Sequence, residues 1–133
     1  MRATRLRLSV AAAHVRDLFS RAPSYRRLAA LSALLVAASA ALPAWKVAPQ
    51  VVGTQTLFVP LHYNVYFGVD QFGPWQGLFL PAAVGLGVLL VNIGVQAAFQ
   101  RSERMLAQFF AWTTLFLEAV LCASALLMVL LNV

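Results

Sequence analysis

Three apolar runs, each long enough to cross a bilayer, constrain this chain more than any other feature of it. They are Leu28 to Trp45, about Leu78 to Phe99 and about Phe109 to Leu131. A helix needs about 17 to 25 predominantly apolar residues to cross roughly 30 Å of hydrocarbon, and each run falls in that window. None holds a Lys or Arg, and the only formal charge in any of them is Glu118. With 62% hydrophobic and 11% charged side chains over 133 residues, the chain also lacks polar surface. Soluble domains carry about 25% charged residues, and a small one has proportionally the most surface to cover. The reading is an all-α integral membrane protein with a three-helix transmembrane domain over residues 28–133 and spans at 28–45, 78–99 and 109–131. A basic segment, 1–27, precedes it, and a loop, 46–77, joins the first two spans.

The net charge of +6 would raise nucleic-acid binding in a soluble protein, but its distribution excludes that partner here. Seven of the ten basic residues (Arg2, Arg5, Arg7, Arg16, Arg21, Arg26 and Arg27) precede the first run. Arg101 and Arg104 sit in the short connection between the second and third, and the long loop carries only Lys46 against Asp70. Positive residues stay cytoplasmic. The expected topology is N-terminus inside, long loop outside and C-terminus extracytoplasmic, in the cytoplasmic membrane. Ala38, Ala40 and Ala44 offer a signal-peptide alternative, but a 27-residue basic lead is longer than an ordinary n-region.

Wound as a helix, residues 5–20 put Leu8, Ala11, Ala12, Val15, Leu18 and Phe19 on one face and Arg5, Ser9, Arg16 and Ser20 on the other. That is the pattern of a helix lying in the headgroup plane, with Arg5, Arg16, Arg26 and Arg27 as lipid-surface contacts. A partly disordered topology tag is the plainer alternative. Pro23 separates this segment from the first span. His14 reads as a solvated surface residue.

Glu118 is the residue whose position most needs a reason. A carboxylate in mid-span costs a few kcal/mol, so it is expected to enter the membrane protonated or hydrogen-bonded and to face a partner or water. The second and third spans are antiparallel about a turn near residues 101–108, which sets Glu118 level with Val91 or Asn92. Asn92 is the expected donor, with Gln96 one turn away on the same face. An interhelical hydrogen bond of about 0.6 kcal/mol is the structural account. A proton or cation relay is the functional one, and it needs further ionisable groups along a path. Small residues at four-residue spacing, Ala83/Gly87 and Gly94/Ala98 on the second span and Ala33/Ala37/Ala41 on the first, favour close helix approach.

The outer loop is long for one without structure of its own. Thr54 to Val59 and Leu61 to Phe67 read as short extended segments broken at Pro60, and Gly68, Gly73 and Pro74 as a turn into the second span. Tyr63, Tyr66, Phe67, Phe72, Trp75 and Phe79 make an interfacial aromatic belt. The candidate recognition residues are His62, Tyr63, Asn64, Gly68, Asp70 and Trp75.

The stretch Pro60-Leu61-His62-Tyr63-Asn64 followed by Gly68-Val69-Asp70 resembles the Pro-x-His-aromatic-Asn, Gly, Asp motif between the first two spans of SdpI-type toxin-immunity membrane proteins. It is also similar to a loop in small uncharacterised three-span bacterial membrane proteins. In the immunity-type pattern the glycine falls one position earlier, and Pro rather than Val precedes the Asp. The resemblance implies a bacterial inner-membrane location and an outward-facing loop, and no catalytic residues.

The remaining chemistry is sparse. His62 and Asp70 could form an acid/base pair, but no activated nucleophile or carboxylate pair accompanies them, and they supply at most two metal ligands. The single cysteine, Cys122, excludes an internal disulfide or a cysteine-built zinc site. Gly85-Leu86-Gly87 lies in an apolar span and no His does, so neither a phosphate loop nor a haem anchor is expected. No metal, cofactor or catalytic residue is expected. The expected function is a non-enzymatic accessory or interaction subunit that meets lipids and either other membrane subunits or its own copies. The alternatives are ligand sensing or toxin immunity through the outer loop, and transport or a proton path through Glu118.

Overall fold

The computed structural model describes residues 13–17, 20, 23–54 and 58–133. Helix α1 (Pro23–Lys46) is followed by a turn at Val47 and a short helix α2 (Ala48–Thr54). Strands β1 (Phe58–Asn64) and β2 (Gly68–Pro74) form an antiparallel hairpin, and a 3-10 turn at Trp75–Phe79 leads into α3 (Leu80–Phe99). The final helix is α4 (Arg104–Leu130). At 1.5 Å per residue, α1, α3 and α4 are about 36, 30 and 40 Å long, enough to cross a bilayer. Each belongs to a strongly apolar stretch of which under a third is buried inside the protein (22%, 28% and 22%). The outside of the bundle is therefore apolar, with Leu34, Leu90, Phe116 and Leu127 among the exposed side chains. Such a surface requires lipid, and the chain is a multi-pass membrane protein.

The interior is arranged in three levels. Tyr25, Leu28, Ala97, Ala107 and Ala111 cluster at the end where α3 turns into α4. Val47, Val51, Val59, Leu78 and Val129 cluster at the hairpin end. Between them the inward faces carry Ser32 and Ser39 from α1 and Thr114 and Glu118 from α4, all buried. Ser32 and Ser39 are two turns apart and Thr114 and Glu118 about one, so each pair lines a single face of its helix.

Several element boundaries differ from the sequence expectation. Helix α4 begins at Arg104, five residues before Phe109, because the α3–α4 connection closes in a tight turn at 100–103. Backbone bonds Gln100 N–H to Gln96 O (2.9 Å) and Glu103 N–H to Phe99 O (2.7 Å) hold that turn. Helix α1 starts at Pro23, whose fixed φ and missing N–H suit a first helical position, and so extends the first span backwards. Strand β1 runs through Pro60 instead of breaking there. A two-stranded hairpin leaves one edge of each strand without a partner, so a residue with no N–H is tolerated, and the ladder registers it as an irregularity beside Pro60. Gly68 to Pro74, expected as a turn, is the second strand, and the turn proper is Val65–Phe67.

Of the N-terminal segment, residues 13–17 are helical. Val15 packs against the turn-end cluster while Arg16 is exposed, as the expected partition of faces has them. Arg5, Leu8, Ala11, Ala12, Leu18 and Phe19 lie outside the described residues. Asp17 receives Nη2 of Arg101 at 2.7 Å and Nε at 3.2 Å, and Gln100 Nε2 donates to the His14 carbonyl at 3.4 Å. Residues 13–17 are thus attached to the α3–α4 turn.

Candidate functional site

The hairpin is built on its turn. Asn64 Oδ1 accepts the Tyr66 backbone N–H at 2.9 Å, which tightens the loop. Gly68 closes it with φ of 75°, a left-handed conformation that a side chain disfavours. These two members of the motif therefore have a backbone role. The register pairs Asn64 with Gly68 and Tyr63 with Val69, then shifts so that His62 faces Gln71, and the irregularity leaves Asp70 beside His62. Nδ1 of His62 and Oδ1 of Asp70 are 2.6 Å apart. An ionised carboxylate only accepts, so Nδ1 is the donor in this contact. The pair is accessible, with side-chain exposures of 59% and 35%.

Two contacts fix the hairpin against the bundle. Asn132 Nδ2, just past the end of α4, donates to Pro60 O and to Met128 O, each at 2.8 Å. Leu61 drops toward Gly73 and Gly77, where an added Cβ would come within 2.5 and 2.8 Å of its Cδ1. Trp75 joins the hairpin-end cluster and stacks edge-on with Phe79 at 5.8 Å. Between β1 and α4 these contacts leave a half-open groove of about 510 Å³, within the roughly 300–1,000 Å³ range of small-ligand sites. Leu61, His62 and Tyr63 form one wall, and residues from Val120 to Met128 of α4 with Leu131 just past its end form the other. Of the six loop residues singled out from sequence, His62 and Tyr63 line the groove, Asp70 holds His62, and Asn64, Gly68 and Trp75 are structural.

Glu118 is buried, as expected of a carboxylate that must avoid lipid, but its neighbours are not the expected ones. Asn92 Nδ2 donates to Thr114 Oγ1 at 2.8 Å, one turn from Glu118, and the Thr114 hydroxyl passes its own proton to Phe110 O at 2.6 Å. Glu118 lies instead against Gly85, where a Cβ would overlap Oε2 and come within 3.3 Å of Val36 Cγ2. The five-residue advance of α4 shifts the level partner of Glu118 from Asn92 toward Gly85. Gln96 is buried about one turn beyond Asn92. Glu118 Oε1 and Ser32 Oγ are buried with no hydrogen-bond partner among the described residues.

Thr114, Gly85 and Ser32 escaped the sequence reading. A Gly at mid-span and a Ser–Ser pair at seven-residue spacing on α1 were the available signals. Arg26 and Arg27 are exposed at the start of α1, Arg16 is exposed, and Arg5 lies outside the described residues. The small-residue stripes point outward: Ala33, Ala37 and Ala41 on α1, and Ala83, Gly87, Gly94 and Ala98 on α3, are exposed. Among the described residues no group of three or more His, Cys, Asp or Glu could hold a metal ion. No family model, curated protein or solved structure matches the chain.

Proposed function

We propose that this chain is a non-enzymatic interaction subunit of a membrane assembly, resident in the bacterial inner membrane with its hairpin outside. The observation that carries this reading is the hairpin tip. Val65, Tyr66 and Phe67 are 84%, 89% and 82% exposed in succession, on a turn whose backbone is held rigid by Asn64 and Gly68. A tight turn ordinarily carries Gly, Asn, Asp or Ser at its tip, so three consecutive apolar side chains held clear of their own fold suit a partner surface. The outward Gly87 and Gly94, with nothing within 4 Å of a Cβ built on either, add a helix face that a partner's transmembrane helix can approach closely.

The orientation rests on Arg26, Arg27, Arg101 and Arg104, which share one end of the bundle. Tyr25 Oη donates to Arg104 O at 3.3 Å, so the basic ends of α1 and α4 are adjacent. Positive charge on that end favours its retention in the cytoplasm. The inner-membrane assignment draws on the loop resemblance.

The test is affinity purification from native membranes in mild detergent, with crosslinking and mass spectrometry. A stoichiometric partner, lost when Tyr66 and Phe67 are both changed to Ser but retained in the exposed control Gln71→Ala, is the expected result. Recovery of the chain alone from crosslinked native membranes would overturn the reading.

A further inference from the structure

The groove between β1 and α4 begins at the hairpin end of the bundle and runs from Leu131, just past the end of α4, along the helix to Val120. That is about 16 Å at 1.5 Å per residue, close to half of a hydrocarbon core of about 30 Å. The groove is therefore one leaflet deep, and its α4 wall is made of positions such as Val120 and Leu127 that are exposed on a membrane-spanning helix. With a mostly aliphatic lining and a volume of about 510 Å³, the groove suits a single hydrocarbon chain.

Ser124 is the one polar side chain on the α4 wall, and the charged chemistry lies at the mouth. His62 lines the groove, and Asp70 sits on its Nδ1 at 2.6 Å. Asp70 is the only formal charge between Phe58 and Pro74. The mouth therefore presents the Asp70 carboxylate as an acceptor, with no Lys or Arg beside it on the hairpin. That combination complements a headgroup that is positively charged and donates hydrogen bonds.

The geometry points to a phospholipid site selective for a primary ammonium headgroup, with one acyl chain in the groove and a phosphatidylethanolamine ammonium against His62 and Asp70. The site discriminates by donor capacity as well as charge. Phosphatidylcholine has the same charge and chains but no N–H, and phosphatidylglycerol has neither the ammonium nor its charge.

The experiment is native mass spectrometry of the full chain, delipidated in mild detergent and titrated with the three lipids carrying identical chains. One phosphatidylethanolamine is expected to be retained, favoured over phosphatidylcholine by roughly tenfold, the effect of a hydrogen bond to a charged group. His62→Ala together with Asp70→Asn should bring the two lipids to parity. Ala123→Trp, which places a ring in the groove, should abolish retention at an unchanged melting temperature. Should that variant fail to fold, quenching in the Trp45→Phe, Trp112→Phe background gives the same answer. Trp75 packs against the same buried cluster as Leu61 and Met128 of the groove, so brominated-chain phosphatidylethanolamine should quench it more than brominated phosphatidylcholine at equal concentration. Equal retention of all three lipids by the unmodified chain, equal quenching by the two brominated lipids, or full retention by folded Ala123→Trp would overturn the assignment. A dimer that Ala123→Trp dissociates would overturn it in favour of a second copy in the groove.

Discussion

Glu118 on α4 fills the space that Gly85 on α3 leaves open. A methyl group at position 85 would overlap the carboxyl oxygen and also crowd Val36 of α1, so this glycine is where all three spans meet. Glycine in mid-helix lowers helix propensity by about 1 kcal/mol, and here its use is steric. The carboxyl group needs a protein-lined position to avoid lipid, and only a residue without a side chain leaves one on α3.

Gly85→Ala should therefore destabilise the bundle even though alanine is the better helix former. Overpacking of a filled interior costs about 1–3 kcal/mol, and the propensity gain offsets only part of it. In a Glu118→Ala background the same change should be nearly neutral or stabilising. A double-mutant cycle from unfolding in mixed micelles measures the difference, and equal effects in the two backgrounds would show that Gly85 and Glu118 do not compete for space.

The Asn92–Thr114 bond at 2.8 Å joins α3 to α4 directly. Its coupling energy, from a cycle through Asn92→Ala and Thr114→Val, should lie near the average of about 0.6 kcal/mol for intramembrane hydrogen bonds. Glu118→Gln should be comparably mild if the residue fills space, since volume and shape are kept. A loss of proton or ion flux in reconstituted vesicles on Glu118→Gln, with the fold intact, would instead mark a relay.

The number and approximate position of the spans were legible because twenty-odd apolar residues without a basic charge have few other fates. The depth partner of Glu118 was not, because it depends on where α4 starts. Arg104, Met105 and Leu106 carry a charged and two apolar side chains before the long apolar run, and nothing in that pattern separates a first helical turn from a loop. An error of five residues in the turn displaces the pairing by more than one helical turn. The His62–Asp70 pairing was legible as chemistry, whereas the hairpin register that creates it was obscured by Pro60, which reads as a break unless the strand is known to have a free edge. The groove could not be read at all, since it exists only between two elements about sixty residues apart in the chain.

Gly68→Ala should disturb the hairpin without touching the spans. An alanine held at φ of 75° carries roughly 1–2 kcal/mol of backbone strain, set against a turn supported mainly by the Asn64–Tyr66 bond. Amide exchange measured residue by residue should show faster exchange across Phe58–Pro74 and unchanged protection in α3 and α4. Asp70→Asn is the contrasting variant. A contact as exposed as His62–Asp70 contributes about 0–1 kcal/mol, so hairpin protection should scarcely change.

The attachment of the N-terminal segment to the α3–α4 turn yields a prediction with a built-in control. Asp17 takes two hydrogen bonds from the Arg101 guanidinium, whose side chain is 62% exposed, while its own is 17% exposed. A pair in that setting contributes about 0.5–1 kcal/mol, and its loss should raise the population of the detached segment roughly two- to fivefold. Trypsin cleavage after Arg16 in detergent micelles reports that population when opening is fast relative to cleavage. Asp17→Ala should therefore be cut roughly two- to fivefold faster than the unmodified chain at low ionic strength. At about 1 M salt, where the screening length falls to about 3 Å, the difference between the two should shrink. Arg101→Ala should also raise the rate, and combining the two changes should give less than the product of their separate effects. Equal cleavage of all three chains at low salt would mean that the Asp17–Arg101 pair does not hold the segment in place.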